Sequence, residues 1–310
     1  MTTTLGRIGI VIAVSSVCLL TQALPARAQI RGLYTPGMAA TNSGVLPGAG
    51  LTYQALFQPY SFDEAKAADG RHLPGNGKAS VLVDQNIFLW VSKLTVLGGT
   101  YAAMADLPVA NTSLTTVRFG ALAGGSGFAD SYFSPFTLGW HQPRADLQAG
   151  YGFMAPTGRF SPGADDNTGG GYWGNFLTAG QTVYATASKG TAISAYEVYE
   201  FHTTQKDTDL HPGQTFDIDY SVTQMLPLTH DKHTLLQLGI VGYGQYQTTD
   251  STRPLITTTD TPYRVNALGA SAGVVLPERK VSVDVKYFKE FSNEATVEGH
   301  SLQISAGVTF

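Results

Sequence analysis

The sequence predicts an all-β chain: a transmembrane, antiparallel, up-and-down β-barrel of about 12 strands that follows an N-terminal signal peptide. Three observations predict it. The C-terminal hairpin alternates with a period of two: Val281, Val283, Val285 and Tyr287 alternate with Ser282, Asp284, Lys286 and the aromatic Phe288. Leu302, Ile304, Ala306, Val308 and Phe310 then alternate with Gln303, Ser305, Gly307 and Thr309. Each strand therefore has one apolar and one polar face, and an apolar strand running to the final residue suits the closing strand of a cylinder. Composition is the second observation. Charged residues are 14% of the chain, against about a quarter in soluble proteins, while glycine reaches 35 copies and aromatics 11%. Mean hydropathy is near zero, at −0.01, which argues against a helical membrane protein but suits a barrel, whose alternation averages hydropathy away. The third observation is that long and short connections alternate along the chain.

Residues 1–28 read as a signal peptide. Arg7 supplies the positive start, residues 8–20 form an apolar run too short to span a bilayer, and Ala26-Arg27-Ala28 places small residues for cleavage after Ala28. The single cysteine, Cys18, lies in this segment behind Val17, which does not suit lipid attachment. The mature chain is then expected to lack cysteine, and with it disulfides, a thiol nucleophile and Cys-zinc sites. The 19 basic residues less Arg7 and Arg27 leave 17 against 23 acidic ones, a net charge of −6. No basic run is present, and nothing in that balance suggests nucleic acid.

Residues 29–48, rich in Gly, Pro and small polar side chains, read as an irregular lead-in that lies in the periplasm or tucks into the lumen as a plug. The barrel domain is expected over 49–310. Its strands are read at 49–60, 80–91, 94–105, 130–141, 145–155, 173–186, 191–204, 213–225, 233–248, 263–275, 280–291 and 299–310. A tilted strand needs about 9–11 residues to cross the hydrocarbon, so each is long enough. The connections 61–79, 106–129, 156–172 and 249–262 are long; a tight turn at Ser92-Lys93 and the turns at 142–144, 187–190 and 276–279 are short. Bacterial barrels show this alternation, with short periplasmic turns and both ends on the periplasmic side. Residues 112–122 could form a further strand, but that would break the parity, so they are assigned to an external or inward-folded loop. Mid-chain, Phe216, Ile218, Tyr220 and Val222 alternate cleanly with Asp217, Asp219, Ser221 and Thr223.

The stretches Gly127 to Trp140, Pro156 to Phe160 and Asn167 to Trp173 together resemble the phenol-degradation meta-pathway family of outer-membrane, transporter-like β-barrel proteins. The run from Gly127 through Asp130, Tyr132, Pro135 and Leu138 to Gly139-Trp140 is similar to the family's "G-x-G-D-x-Y-x-x-P-x-x-L-G-W" strand. Pro156-Thr157-Gly158-Arg159-Phe160 resembles its "P-T-G-x-Y/F" loop, and Asn167-Thr168-Gly169-Gly170-Gly171-Tyr172-Trp173 its "N-x-G-x-G-x-W" segment. Gly242 to Asp250 and Arg264 to Gly269 fit the family's later strands. The resemblance covers roughly Ser80 to Phe310 and departs at Ala129, where glycine is frequent, and at Ala270, where proline is. It implies a barrel in the outer membrane of a Gram-negative bacterium and the passage of small, often aromatic, molecules.

The residues that point to function lie on the polar strand faces. Asp217, Asp219, Asp284, Lys286 and Glu290 are expected to line the lumen, because a basic side chain turned to lipid at the midplane costs about 2–4 kcal/mol. They could form a hydrated, internally paired network or a constriction that selects solutes by charge. Tyr53, Tyr60, Trp90, Trp140, Tyr151, Trp173 and Tyr287 are expected in interfacial girdles. Gly169, Gly171 and Gly174 match a dinucleotide fingerprint, but the helix that chemistry needs is missing after them. Asp165-Asp166-Asn167 and the His230-Asp231-Lys232-His233 turn offer metal-ligand atoms without a converging set. Gly269-Ala270-Ser271-Ala272-Gly273 matches a nucleophile elbow but sits inside a strand. The reading is a passive channel or transporter with no catalytic residue, cofactor or metal. Its partners are small-molecule solutes and outer-membrane lipid, and its oligomeric state is not specified. The alternatives are a structural or adhesive barrel acting through its external loops, and a hydrolase using Ser271 with His202 or His300.

Overall fold

The computed structural model describes residues 31–73, 78–116, 120–122, 124–164, 166–229, 231, 233–252 and 261–310. The expected signal peptide and its cleavage site lie outside them. The strands are β1 (Gly50–Ala65), β2 (Lys78–Val96), β3 (Gly99–Asp106), β4 (Val109–Thr116), β5 (Gly120–Leu122), β6 (Ser126–Phe128), β7 (Ser131–His141) and β8 (Ala145–Ala155). They continue with β9 (Gly174–Tyr184), β10 (Thr191–His202), β11 (Thr215–Pro227), β12 (Leu235–Gln247), β13 (Arg264–Leu276), β14 (Val281–Glu290) and β15 (Val297–Thr309).

Twelve of these strands close a ring. In spatial order it runs β1, β15, β14, β13, β12, β11, β10, β9, β8, β7, β3 and β2, and β2 pairs back onto β1. The seam between chain ends is a long antiparallel ladder from Thr52↔Thr309 to Ala65↔Val297. Closure gives each of the twelve ring strands a neighbour on both sides, which is the condition for placing strands in hydrocarbon, where no water can satisfy backbone polar groups.

Residues 106–129 do more than cap the barrel. β2 is 19 residues long, and β3 covers its Ile87–Val96 half while β4 covers Lys78–Asp84. β4 therefore continues β3 along the same neighbour, after a break at Leu107-Pro108 where proline has no N–H to donate. β6 returns beside β4, through Val109↔Phe128, and leads into β7. The strand parity survives because β4 lengthens an existing crossing and adds none.

The turn expected at Ser92-Lys93 lies elsewhere. β2 runs on to Val96, and the reversal is made by Leu97 (φ 50°) and Gly98 (φ 77°) between the pair Val96↔Gly99. Two positive-φ residues form the two-residue hairpin turn whose twist matches the flanking strands. Ser92 instead sits in a bulge between Val91 and Thr95, where its Oγ accepts from Leu94 N and donates to Tyr101 O.

The inside-out polarity is plain on β11. Thr215, Asp217, Asp219, Ser221 and Thr223 are buried, while Tyr220 and Val222 are exposed. Around the ring, Ile193, Ile240, Leu268 and Val283 are likewise exposed, which in water would be a severe liability and in lipid is the stable arrangement. Carboxyls also occur on the outer face: Asp84 is exposed on β2 in phase with Phe88 and Trp90, and Glu197 lies on β10 in phase with Ile193 and Phe201 and accepts a hydrogen bond from Gln181 Nε2.

Candidate functional site in the lumen

The alternation on each strand carries one polar residue in two into the lumen, and the segment 31–48 threads through them. Arg31 sits near the long-loop end. Its guanidinium meets both oxygens of Glu290, at 2.8 and 3.2 Å, and donates to Val297 O at 2.6 Å. Glu290 is buried and also accepts from Tyr60 and Tyr243 hydroxyls, Asn293 Nδ2 and Gly299 N, so this buried charge is fully surrounded by donors. Such saturation is what makes a buried ion pair tolerable.

The chain then descends. Leu33 N and Tyr34 N donate to the Glu200 carboxylate, each at 2.8 Å. Asp219 accepts from Tyr34 hydroxyl at 2.6 Å, Gly37 N at 2.7 Å and Ala39 N at 3.0 Å. Lys286 Nζ donates to Gly37 O and Met38 O at 3.2 and 2.7 Å. A segment without regular structure thus has its backbone groups satisfied by wall side chains, as buried backbone requires. Gly37 must be glycine: its φ is +83°, and a Cβ there would stand 2.6 Å from the Phe288 ring. Lower down, Gly44 N donates to Thr182 Oγ1, and Leu46 packs on Val91 and Ala102 near the short-turn end.

All five charged residues expected in the lumen are on inward faces, but the structure divides them. Asp219, Lys286 and Glu290 grip the threading segment. Asp217 instead accepts from Gln245 Nε2 at 2.7 Å, and Asp284, half-buried, accepts from Ser305 Oγ. Glu200, Arg31 and Gln85 belong to the same network and were not singled out from the sequence. Glu200 was legible by phase, since it shares parity with Ser194, Val198 and His202 on β10. Arg31 was not, because nothing local says an irregular segment will enter the barrel. Tyr60 is a correction: it is in phase with buried Leu56 and Gln58, points inward to Glu290, and has Arg31 over its ring at 5.5 Å. Trp90, Tyr151, Trp173 and Tyr287 are exposed, as a girdle requires.

Beside residues 33–38 of the segment lies a cavity of about 360 Å³, within the range of small-molecule sites. Leu33, Val81, Val83, Ile87, Phe176 and Val198 make it predominantly apolar, and Met38, Met104 and Met154 add three of the chain's five methionines. Its polar groups include Gln85, Asp106, Asp130, Tyr132 and Tyr196. Asp130, in the connection before β7, fixes the roof: its two oxygens accept from Gly158 N at 2.9 Å and Gly170 N at 2.7 Å. Burial pushes its carboxyl above the usual range, against the pull of those two N–H groups.

The other motifs dissolve into structure. Ser271 lies inside β13, His202 faces inward against Glu200 and Gly213 O, and His300 is exposed on the outer face, so the three do not converge. Asp166 pairs with Arg159 and Asn167 bonds Ser161, while Asp165 is outside the described residues. His233 pairs with Asp231 and Glu278, and His230 and Lys232 are outside the described residues. Among the described residues no three His, Cys, Asp or Glu side chains form a metal-binding group.

A closed antiparallel ring with an apolar exterior and a charged, hydrogen-bonded interior defines the class: a transmembrane β-barrel of the outer-membrane type. The chain belongs to the family described as "Putative MetA-pathway of phenol degradation", which matches residues 62–306. Among solved structures it is similar to the COG4313 outer membrane channel from Pseudomonas putida F1, at 16% identity and a TM-score of 0.72, covering 89% of this chain and 100% of that one. The KdgM porin is also similar, at 6% identity and a TM-score of 0.38 over 84% of this chain and 99% of that one. The NanC porin follows at 8% and 0.39 over 84% and 100%. No curated protein matches the chain in sequence.

Proposed function

We propose that the protein is an outer-membrane channel for passive uptake of small molecules, and that apolar, including aromatic, solutes enter through the cavity at its long-loop end. The observation that carries this reading is the apolar cavity itself, enclosed by a barrel whose lumen is otherwise polar. By the rule for bacterial barrels, the long loops face outward and the short turns face the periplasm. Cleavage after Ala28 then leaves Gln29 and Ile30 ahead of Arg31, and residues 31–48 act as a plug that narrows the path below the cavity. The charged residues on the plug's walls hold it in place first and set ion selectivity second. The family and the likeness to a solved outer membrane channel support the same reading.

The test is conductance of the refolded mature protein in a planar lipid bilayer, with and without phenol. Steady conductance that phenol modulates is expected. A folded barrel that stays silent in every condition would instead favour a plugged structural barrel, which the occupied lumen also suits. N-terminal sequencing of the protein extracted from outer membranes should begin at Gln29.

A further inference from the structure

A polar pair stands on the outer wall at a height where hydrocarbon should meet it. Gln181 on β9 and Glu197 on β10 are both on the outward face, and Gln181 Nε2 donates to Glu197 Oε1. Among the described residues that is the single side-chain hydrogen bond of either, so Gln181 keeps one amide hydrogen and its Oε1 unpaired. Across the β9–β10 ladder Gln181 is opposite Ala195 and Glu197 opposite Ala179, four and six residues above Thr191 at the short-turn end of β10. With a rise of about 3.3 Å per residue and a tilt of about 40°, the pair lies about 10–15 Å up an apolar band about 25 Å tall. Asp84, by contrast, stands beside the Leu107-Pro108 break, toward the long-loop end. The outward neighbours of the pair are small: Ala195 adjoins Gln181, Ala179 adjoins Glu197, and Ala149 adjoins Ala179. Exposed Leu147, Leu177 and Ile193 rim this shallow floor.

We propose that a second copy of the chain docks on this patch, side by side in the membrane, through a reciprocal pair of Gln181 amides. In a lone barrel the free amide hydrogen and Oε1 meet only acyl chains, which offer neither donor nor acceptor. Both copies keep their long loops on the same side, so the two-fold axis that relates them runs along the membrane normal. Such an axis sets each residue against its own height in the partner, and Gln181 meets Gln181. A carboxamide is self-complementary: its N–H donates to the facing Oε1 while its own Oε1 accepts in return. Glu197 is a positioning residue, because by taking one amide hydrogen it holds the carboxamide in a single orientation. The three alanines let the two walls approach closely enough for the amides to meet, as small residues do between membrane helices.

The experiment uses the refolded mature protein in lipid vesicles, with one cysteine introduced into a chain expected to have none. Ala195→Cys stands beside Gln181, and Ala306→Cys, at an exposed position on β15 half the ring away, is the reference. Under copper phenanthroline, Ala195→Cys is expected to form a disulfide-linked dimer about tenfold faster than Ala306→Cys. Adding Gln181→Leu should lower that rate to the reference, and adding Glu197→Leu should leave it between the two. Heat-modifiable migration checks that each variant is a folded barrel, and Ala179→Cys takes the place of Ala195→Cys if the latter is not. Cross-linking of Ala195→Cys no faster than that of Ala306→Cys would mean that the patch faces lipid or a different protein, and overturns the proposal. A fast rate that Gln181→Leu leaves unchanged overturns the amide pair as the contact.

Discussion

Asp219 is the residue whose loss should most directly release the lumen. It is fully buried and holds Tyr34 hydroxyl, Gly37 N and Ala39 N, so Asp219→Ala removes three bonds to a charged acceptor at once. Each such bond contributes about 1.5–3 kcal/mol, and the low end gives roughly 4.5 kcal/mol for three. Desolvation of the carboxylate offsets part of that, and a net of roughly 2 kcal/mol raises the population of released segment about 30-fold. The expected absence of cysteine after residue 28 makes the assay simple. Ser43→Cys places a near-isosteric thiol at a buried position on the segment, and a membrane-impermeant maleimide reports its exposure. Labelling should accelerate about 30-fold in Asp219→Ala, with longer and larger conducting events in a bilayer, and Asp219→Asn should fall between. Labelling within threefold of the Ser43→Cys parent, with unchanged conductance, would refute the argument that the wall carboxylates retain the segment.

Asp284 bonds Ser305 and stands 3.9 Å from Lys286, which holds the segment, so its charge is tested by Asp284→Asn: the reversal potential in a salt gradient should move toward anion preference, while Ser43→Cys labelling stays slow. Asp130→Ala strips the acceptor from Gly158 N and Gly170 N, a loss of roughly 2 kcal/mol and about a 30-fold rise in local opening of residues 156–170. Limited proteolysis of intact membranes should then cut there first, and unchanged protection would show that the roof is held by other contacts. The outward Glu197 and Gln181 pair should be dispensable to the isolated barrel. Replacing both with leucine is expected to raise stability by roughly 1 kcal/mol in urea unfolding from lipid vesicles, since a lipid-facing carboxyl costs free energy. A loss of stability would mean that the pair is covered by something other than lipid.

Much of this molecule is written locally. The alternation of Phe216, Ile218, Tyr220 and Val222 with Asp217, Asp219, Ser221 and Thr223 sets which side chains face lipid, because a strand turns successive residues to opposite faces whatever its neighbours do. Strand number followed from the same period together with the lengths of the connections. The phase of Tyr60 and of Glu200 was equally local, and reading aromatics as girdle residues without checking phase is what misplaced Tyr60. The Leu97-Gly98 turn was less legible, since a bulge at Ser92 mimics a reversal in the pattern. Partnership is different in kind. Tyr34, Gly37 and Ala39 meet Asp219 from 180 or more positions away, and Arg31 meets Glu290 from 259. Only ring closure brings those walls around one segment, and only the segment's path leaves an apolar cavity beside it. Period and phase belong to the backbone of each strand; the contents of the lumen belong to the closed cylinder.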